Sequence, residues 1–183
     1  LISAPQKSWS GPSCAGLVMF SLAATDRLAE TASSSFAVNL QKWVDIVESY
    51  ESGTHAYHAT MPTDALAKFR DIMAEVAAYG FDQAKAQQQE MGNRVRALLA
   101  ERGVPSVAAA GFEAPGVVVS YIDAADTPVR FAAAGLQIAA GVPLMCDEPE
   151  GFQTFRLGLF GLDKIQNVER TVTTFAEALD QVL

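Results

Sequence analysis

The sequence predicts an α/β protein whose second half is a two-layer arrangement, with helices on one face of a small sheet. Three observations carry that prediction. Helical and extended patterns alternate from about residue 103 to the last residue, in the order strand, helix, strand, strand, helix. Two long helical patterns precede them, over 63–79 and 82–102. Between Gly116 and Ser120 lies the β-branched run Val117-Val118-Val119, which is strand composition.

Taken in order, Leu1-Ile2-Ser3-Ala4-Pro5 reads as the end of a buried strand and lacks the basic-then-apolar order of a signal peptide. The expectation is that the chain starts inside a fold, with a trimmed or processed end as the alternative. Residues 16–21 are expected to form a short buried strand. A short helix follows over 25–30, capped by Thr25 or Asp26. Leu40, Trp43, Val44 and Val47 recur at i, i+3, i+4, i+7, which predicts a helix over 39–49. Residues 51–62 read as an extended loop, because Pro62 pushes its predecessor out of helical geometry.

The helix over 63–79 has Thr63 or Asp64 as its cap and Leu66, Phe69, Ile72, Met73 and Val76 as its apolar stripe. Gly80 ends it, a residue that tolerates left-handed backbone. The next helix, 82–102, packs Ala84, Gln88, Met91, Val95, Leu98 and Leu99, with the glutamine run 87–89 expected in solvent; Gly103 and Pro105 stop it. A strand over 117–121, a helix over 128–140, strands over 142–145 and 154–159, and a terminal helix over 163–183 complete the chain. The last helix is expected to turn Ile165, Val168, Val172, Phe175, Ala176 and Leu179 inward. A first unit ending near residue 62 holds too little core to stand alone and is expected to pack against further polypeptide. The boundary between units falls in 80–105, and the chain is divided at 1–80 and 81–183.

The 183 residues suit one domain, or two small ones sharing a core; half are apolar and 19% charged, which describes a globular chain. Twenty-one acidic residues against 13 basic ones leave a net charge of −8. That argues against a nucleic acid or an anionic membrane as the main partner. No apolar run approaches the roughly 20 residues that span a bilayer. Two cysteines, Cys14 and Cys146, offer neither zinc-finger spacing nor a disulfide framework, so a reducing, cytoplasmic setting is expected. Cys14 reads as a structural buried thiol, and the acidic neighbours of Cys146 disfavour its thiolate. His55 and His58 stand in a loop with no added carboxylate, so no metal site is expected.

Lysine is the informative residue type. Of five, Lys42, Lys68, Lys85 and Lys164 read as solvated helix positions. Lys7 stands at a strand-to-loop junction between Pro5 and Trp9-Ser10-Gly11-Pro12, where a partly desolvated amine becomes a nucleophile toward carbonyls. An ordinary surface lysine is the alternative. Arg156, within Phe155-Arg156-Leu157-Gly158, offers a fork that suits a carboxylate; pairing with Glu148 or Glu150 is its alternative.

The segment Ser3-Ala4-Pro5-Gln6-Lys7-Ser8-Trp9-Ser10-Gly11-Pro12 resembles the Schiff-base lysine segment of class V, fold-type I aminotransferases, the alanine–glyoxylate and serine–glyoxylate or serine–pyruvate enzymes in particular. Tyr57-His58-Ala59-Thr60-Met61-Pro62 is similar to that family's Tyr-His-x-Thr-x-Pro loop. Phe155-Arg156-Leu157-Gly158-Leu159-Phe160-Gly161 is similar to its C-terminal arginine strand. The three matches fall in family order and cover essentially the whole chain.

The resemblance implies pyridoxal 5'-phosphate as cofactor, with Lys7 as its Schiff-base partner and proton shuttle. It further implies Gln6 beside the cofactor ring and Tyr57 and Thr60 on the cofactor phosphate of the neighbouring subunit of a homodimer. Arg156 would hold the substrate carboxylate, and His58 would be a structural loop residue. The implied reaction moves an amino group from a small amino acid, alanine or serine, to glyoxylate or pyruvate. The fold implied is the end of the large cofactor-binding domain, 1–80, followed by the small C-terminal α/β domain, 81–183. The sequence departs from the family after the lysine, where Gly11-Pro12-Ser13-Cys14 replaces a Pro-Pro-Gly run and bulky Trp9 enters; this leaves amino donor and acceptor open. The family's acid for the pyridine nitrogen, its stacking aromatic and its phosphate loop precede the lysine, so this chain alone is expected not to transaminate. A cysteine desulfurase would resemble the chain less, since those enzymes place histidine where Gln6 stands. From a different class, a non-catalytic α/β assembly or binding module is the alternative.

Overall fold

The computed structural model describes residues 1–122 and 124–183. They form two compact units, Leu1–Gln6 with Gly11–Arg70, and Lys7–Ser10 with Asp71–Leu183.

In the first unit, β1 (Ile2–Ser3) pairs antiparallel with β2 (Leu17–Val18). Both expected strands exist, but they are two residues long and not buried: Leu1 is 84% and Ile2 79% exposed. The reason is that a two-stranded ribbon satisfies its own backbone without covering either face. Helix α1 (Leu22–Ala29) begins earlier than expected, because Ser21 rather than Thr25 or Asp26 caps it; its Oγ accepts from the Ala24 N–H at 3.2 Å. Helix α2 (Leu40–Glu51) starts where predicted, with the Asn39 side chain accepting from the Lys42 N–H. Residues 52–62 are irregular, as their proline and glycine require. Helix α3 (Thr63–Tyr79) runs as predicted to Gly80, which takes φ 103°. Of the first unit's described residues only Pro5 and Phe69 are buried, and Leu22, Phe36 and Val38 stand in the open.

The second unit holds the main core. Helix α4 (Phe81–Glu101) buries Met91, Gly92, Val95 and Leu99. It closes with a left-handed Gly103, the Val104 N–H reaching back to the Leu99 carbonyl. Two of the glutamines expected in solvent are half-buried. Tyr79 donates to Gln87, and Gln88 donates to the Pro115 carbonyl at 3.1 Å. Gly92, invisible to an apolar-stripe argument, lets the Pro115 backbone lie where a Cβ would sit 2.6 Å from its carbonyl oxygen. Arg96 adds bonds to the Ala114 and Val117 carbonyls, and burial lowers its guanidinium pKa. One helix face thus docks on the chain entering the sheet.

That sheet has the order β3-β5-β4, antiparallel throughout, with β3 (Val117–Tyr121), β4 (Ala139–Ala140) and β5 (Thr154–Gly158). The expected helix over 128–140 is only α5, Thr127–Ala133. Gly135 adopts φ 84°, and the Leu136 and Gly135 N–H groups cap the Phe131 and Ala132 carbonyls, which ends the helix and frees 139–140 for the sheet. The strand expected over 142–145 does not form. Its N–H groups at 144–146 go to the Glu148 carboxylate, and Met145 has φ 60°. The terminal helix is broken into α6 (Leu162–Ile165) and α7 (Val168–Val182) by Asn167 at φ −135°. Ala178 and Val182 join its buried face, where Ala176 was expected. Phe131, Phe155 and Phe175 meet at the centre, among Val118, Leu157, Val172 and Leu179.

Candidate active site

Lys7 and Gln6 lie in a tight turn after β1, not at a strand end, and both are exposed in this chain. The turn is closed by the Ser10 N–H donating to the Lys7 carbonyl at 2.8 Å, with Ser10 itself left-handed at φ 51°. Trp9 stands edge-on to Phe81, ring centroids 6.2 Å apart.

Tyr57 and Thr60 are brought together: their hydroxyls share a hydrogen bond of 3.0 Å. Tyr57 remains 69% exposed. Between them in sequence, His58 is a structural residue. Its Nε2 meets the Phe36 carbonyl at 3.0 Å, and its ring lies against Phe36 and edge-on to Trp43. Trp43 in turn donates to the Ala37 carbonyl. The clasp holds the loop so that two hydroxyls face outward.

Arg156 is the middle residue of β5, opposite Val119 on one side and Ala139 on the other. Strand alternation puts its buried neighbours Phe155 and Leu157 on the core face and Arg156 on the other. Its Nε–H donates to the Ala140 carbonyl at 3.1 Å, which fixes the fork's direction while leaving its terminal nitrogens available. Among the described residues Arg156 has no ion pair, and Glu148 is committed elsewhere. The five residues singled out in the sequence therefore fall into an exposed amine turn, a hydroxyl pair and a half-buried guanidinium.

A cavity of about 480 Å³ opens beside β5 in the second unit; Ala140, Val142, Glu148, Phe152 and Thr154 help line it, and none of the five candidates does. Gly141 there has no room for a side chain, a Cβ falling 1.8 Å from the Thr154 Oγ1. Sequence reasoning took Glu148 only as a neighbour of Cys146 and an alternative partner for Arg156. Hydrogen bonds from its own N–H and from those of Cys146, Met145 and Leu144 hold its carboxyl below the ordinary value of 4.5. A carboxyl lowered on folding stabilises the loop at pH values above its unfolded pKa and ceases to do so as pH falls through the lower, folded value. Amide exchange at 144–146 should therefore accelerate, relative to a free peptide, once pH drops below 4.5. Glu148→Gln should remove that pH dependence. Exchange that stays flat with pH in the parent protein would contradict the assignment. Both cysteines are free thiols, Cys14 half-buried and Cys146 exposed. Among the described residues no group of three histidine, cysteine or carboxylate side chains stands ready to hold a metal ion, and no helix is long and apolar enough to cross a membrane.

This architecture matches the C-terminal portion of solved fold-type I aminotransferases. The alanine–glyoxylate aminotransferase of Nostoc sp. superposes with a TM-score of 0.80 at 17% identity, over 99% of this chain and 47% of its own. A Thermus thermophilus aspartate aminotransferase of subgroup IV gives 0.76 at 20% identity, over 100% and 49%. The ureidoglycine–glyoxylate aminotransferase of Bacillus subtilis gives 0.72 at 18%, over 99% and 46%. The chain thus spans about half the length of the solved structures it matches. No protein-family model matches the sequence, and no curated protein is significantly similar to it.

Proposed function

We propose that the chain is the C-terminal part of a pyridoxal-phosphate-dependent transaminase that moves an amino group from a small amino acid, alanine or serine, to glyoxylate or pyruvate. In this reading residues 1–80 end the large domain and 81–183 form the small one. The observation that carries it is that the lysine turn of the proposed large domain, Lys7–Ser10, groups with the compact unit that holds Arg156, so that amine and guanidinium belong to one body. The residues present suit the cofactor: an exposed primary amine for its aldehyde, and a pair of outward hydroxyls able to donate to phosphate oxygens. When bound, pyridoxal 5'-phosphate supplies that aldehyde and a conjugated ring that takes up electrons.

The protein's own residues do the rest. Lys7 Nζ would hold the cofactor by its aldehyde and, when its amine is free, would carry a proton to and from the substrate α-carbon. Arg156 orients the substrate by its carboxylate, which overcomes locally the repulsion from a chain of net charge −8. Gln6 lies beside Lys7 to contact the ring. Tyr57 and Thr60 serve the phosphate held by the partner in a homodimer, consistent with the exposure of Tyr57. Two free thiols fit a reducing cytoplasm.

Intact mass after borohydride reduction in excess pyridoxal phosphate tests the reading. The expected result is one added cofactor per chain, mapped to the Lys7 peptide and absent in Lys7→Ala. Labelling spread over Lys42, Lys68, Lys85 and Lys164, or none at all, would remove its basis.

A further inference from the structure

The turn that carries Lys7 is divided from its neighbours in sequence. Residues on both sides of it, Leu1–Gln6 and Gly11–Arg70, belong to the first unit, whereas Lys7–Ser10 belongs to the second. Two described contacts tie the turn to the second unit. Trp9, half-buried, sets its ring at 88° to that of Phe81, the first residue of α4, which is a favourable edge-to-face arrangement. Ser10 and Asp163 crowd the side of Gly161 where a side chain would sit: a Cβ there would stand 2.6 Å from Asp163 Oδ1 and 2.9 Å from the Ser10 Oγ. Gly161 sits at φ 111° in the connection that follows β5, the strand of Arg156.

We propose that Trp9 is a positioning residue for Lys7, anchoring the lysine turn on Phe81 and, with Ser10 seated at Gly161, holding the amine in register with the strand that bears Arg156. The inference rests on the role given to Lys7 above and names the side chain that sets its direction. The bulk of Trp9 then has a purpose unrelated to lining a substrate pocket. A smaller residue would leave the Ser10–Lys7 bond to close the turn without a side-chain anchor.

The experiment uses the intact chain and two variants, Phe81→Ala and Trp9→Phe. Phe81 is 59% exposed and the fully buried residues of α4 begin at Met91, so its truncation leaves the core in place; an unchanged thermal midpoint checks this. Two readouts are taken. The first is the share of reduced pyridoxal-phosphate adduct on Lys7, with the other four lysines as internal controls. The second is exchange of the Ser10 amide, whose N–H closes the turn. Losing an edge-to-face pair corresponds to about threefold to tenfold, so Phe81→Ala should lower the Lys7 share and Ser10 protection by that factor, while Trp9→Phe retains most of both. If the parent labels Lys7 and Phe81→Ala labels it equally, the proposal is overturned. If the parent does not label Lys7, the functional reading fails by itself. Ser10 exchange then decides the anchor alone, faster exchange in Phe81→Ala supporting it and unchanged exchange overturning it.

Discussion

Phe131→Ala is expected to lower the unfolding free energy by about 3–5 kcal/mol. Phe131 is 1% exposed. Its ring stacks on Phe175 with centroids 6.0 Å apart and planes at 8°, and lies 6.0 Å from Phe155 on the central strand. It is therefore the contact through which α5, α7 and β5 share one interior. Truncation removes the apolar area and leaves a hole that three elements from distant parts of the chain cannot close together. Against a total stability of roughly 5–15 kcal/mol, typical of domains this size, the loss is a large fraction. Urea unfolding followed by circular dichroism reads it as a fall in the midpoint. Phe131→Leu should cost much less, since it keeps most of the volume. A Phe131→Ala midpoint within error of the parent would mean that these three rings do not form the common core.

The second large effect concerns binding. If Arg156 holds the substrate carboxylate as proposed, Arg156→Gln should weaken the affinity of the pyridoxal-phosphate-loaded protein for alanine about 10-fold to 150-fold. That factor corresponds to losing charge-assisted hydrogen bonds worth roughly 1.5–3 kcal/mol. Arg156→Lys restores charge but not the two-pronged geometry, so it should recover only part. The fold should survive, because the Arg156 side chain makes one hydrogen bond, to the Ala140 carbonyl, and faces away from the Phe155–Leu157 core. An NMR titration with alanine measures the affinities. Equal dissociation constants for parent and Arg156→Gln would detach Arg156 from substrate recognition.

Much of the secondary structure was legible where a local cause decides it. Asn39 caps α2, Gly80 ends α3, and the valine run at 117–119 makes β3, each through chemistry within a few residues. Misreadings occurred where two local signals competed. The apolar period continues past Ala134, but the left-handed Gly135 closes α5 first. Residues 142–145 have strand composition, yet a carboxylate six residues beyond Val142 captures the N–H groups a ladder needs. Burial was harder to foresee. Gly92 is packed because Pro115 comes to it, and no periodicity in α4 announces a visitor from another segment.

The candidate site divides along the same line. The sequence by itself determined the residue types and their order: an amine after Gln6, a Tyr-x-x-Thr loop, an arginine between two core residues of a strand. Such identities are covalent facts, and the chemistry of a lysine or an arginine travels with it. Only tertiary structure decided that His58 is spent on Phe36 and Trp43 and that Lys7–Ser10 joins the unit of Arg156. Those outcomes depend on contacts between residues far apart in the chain. Their geometry is set by how whole elements pack, and local sequence pattern does not encode it.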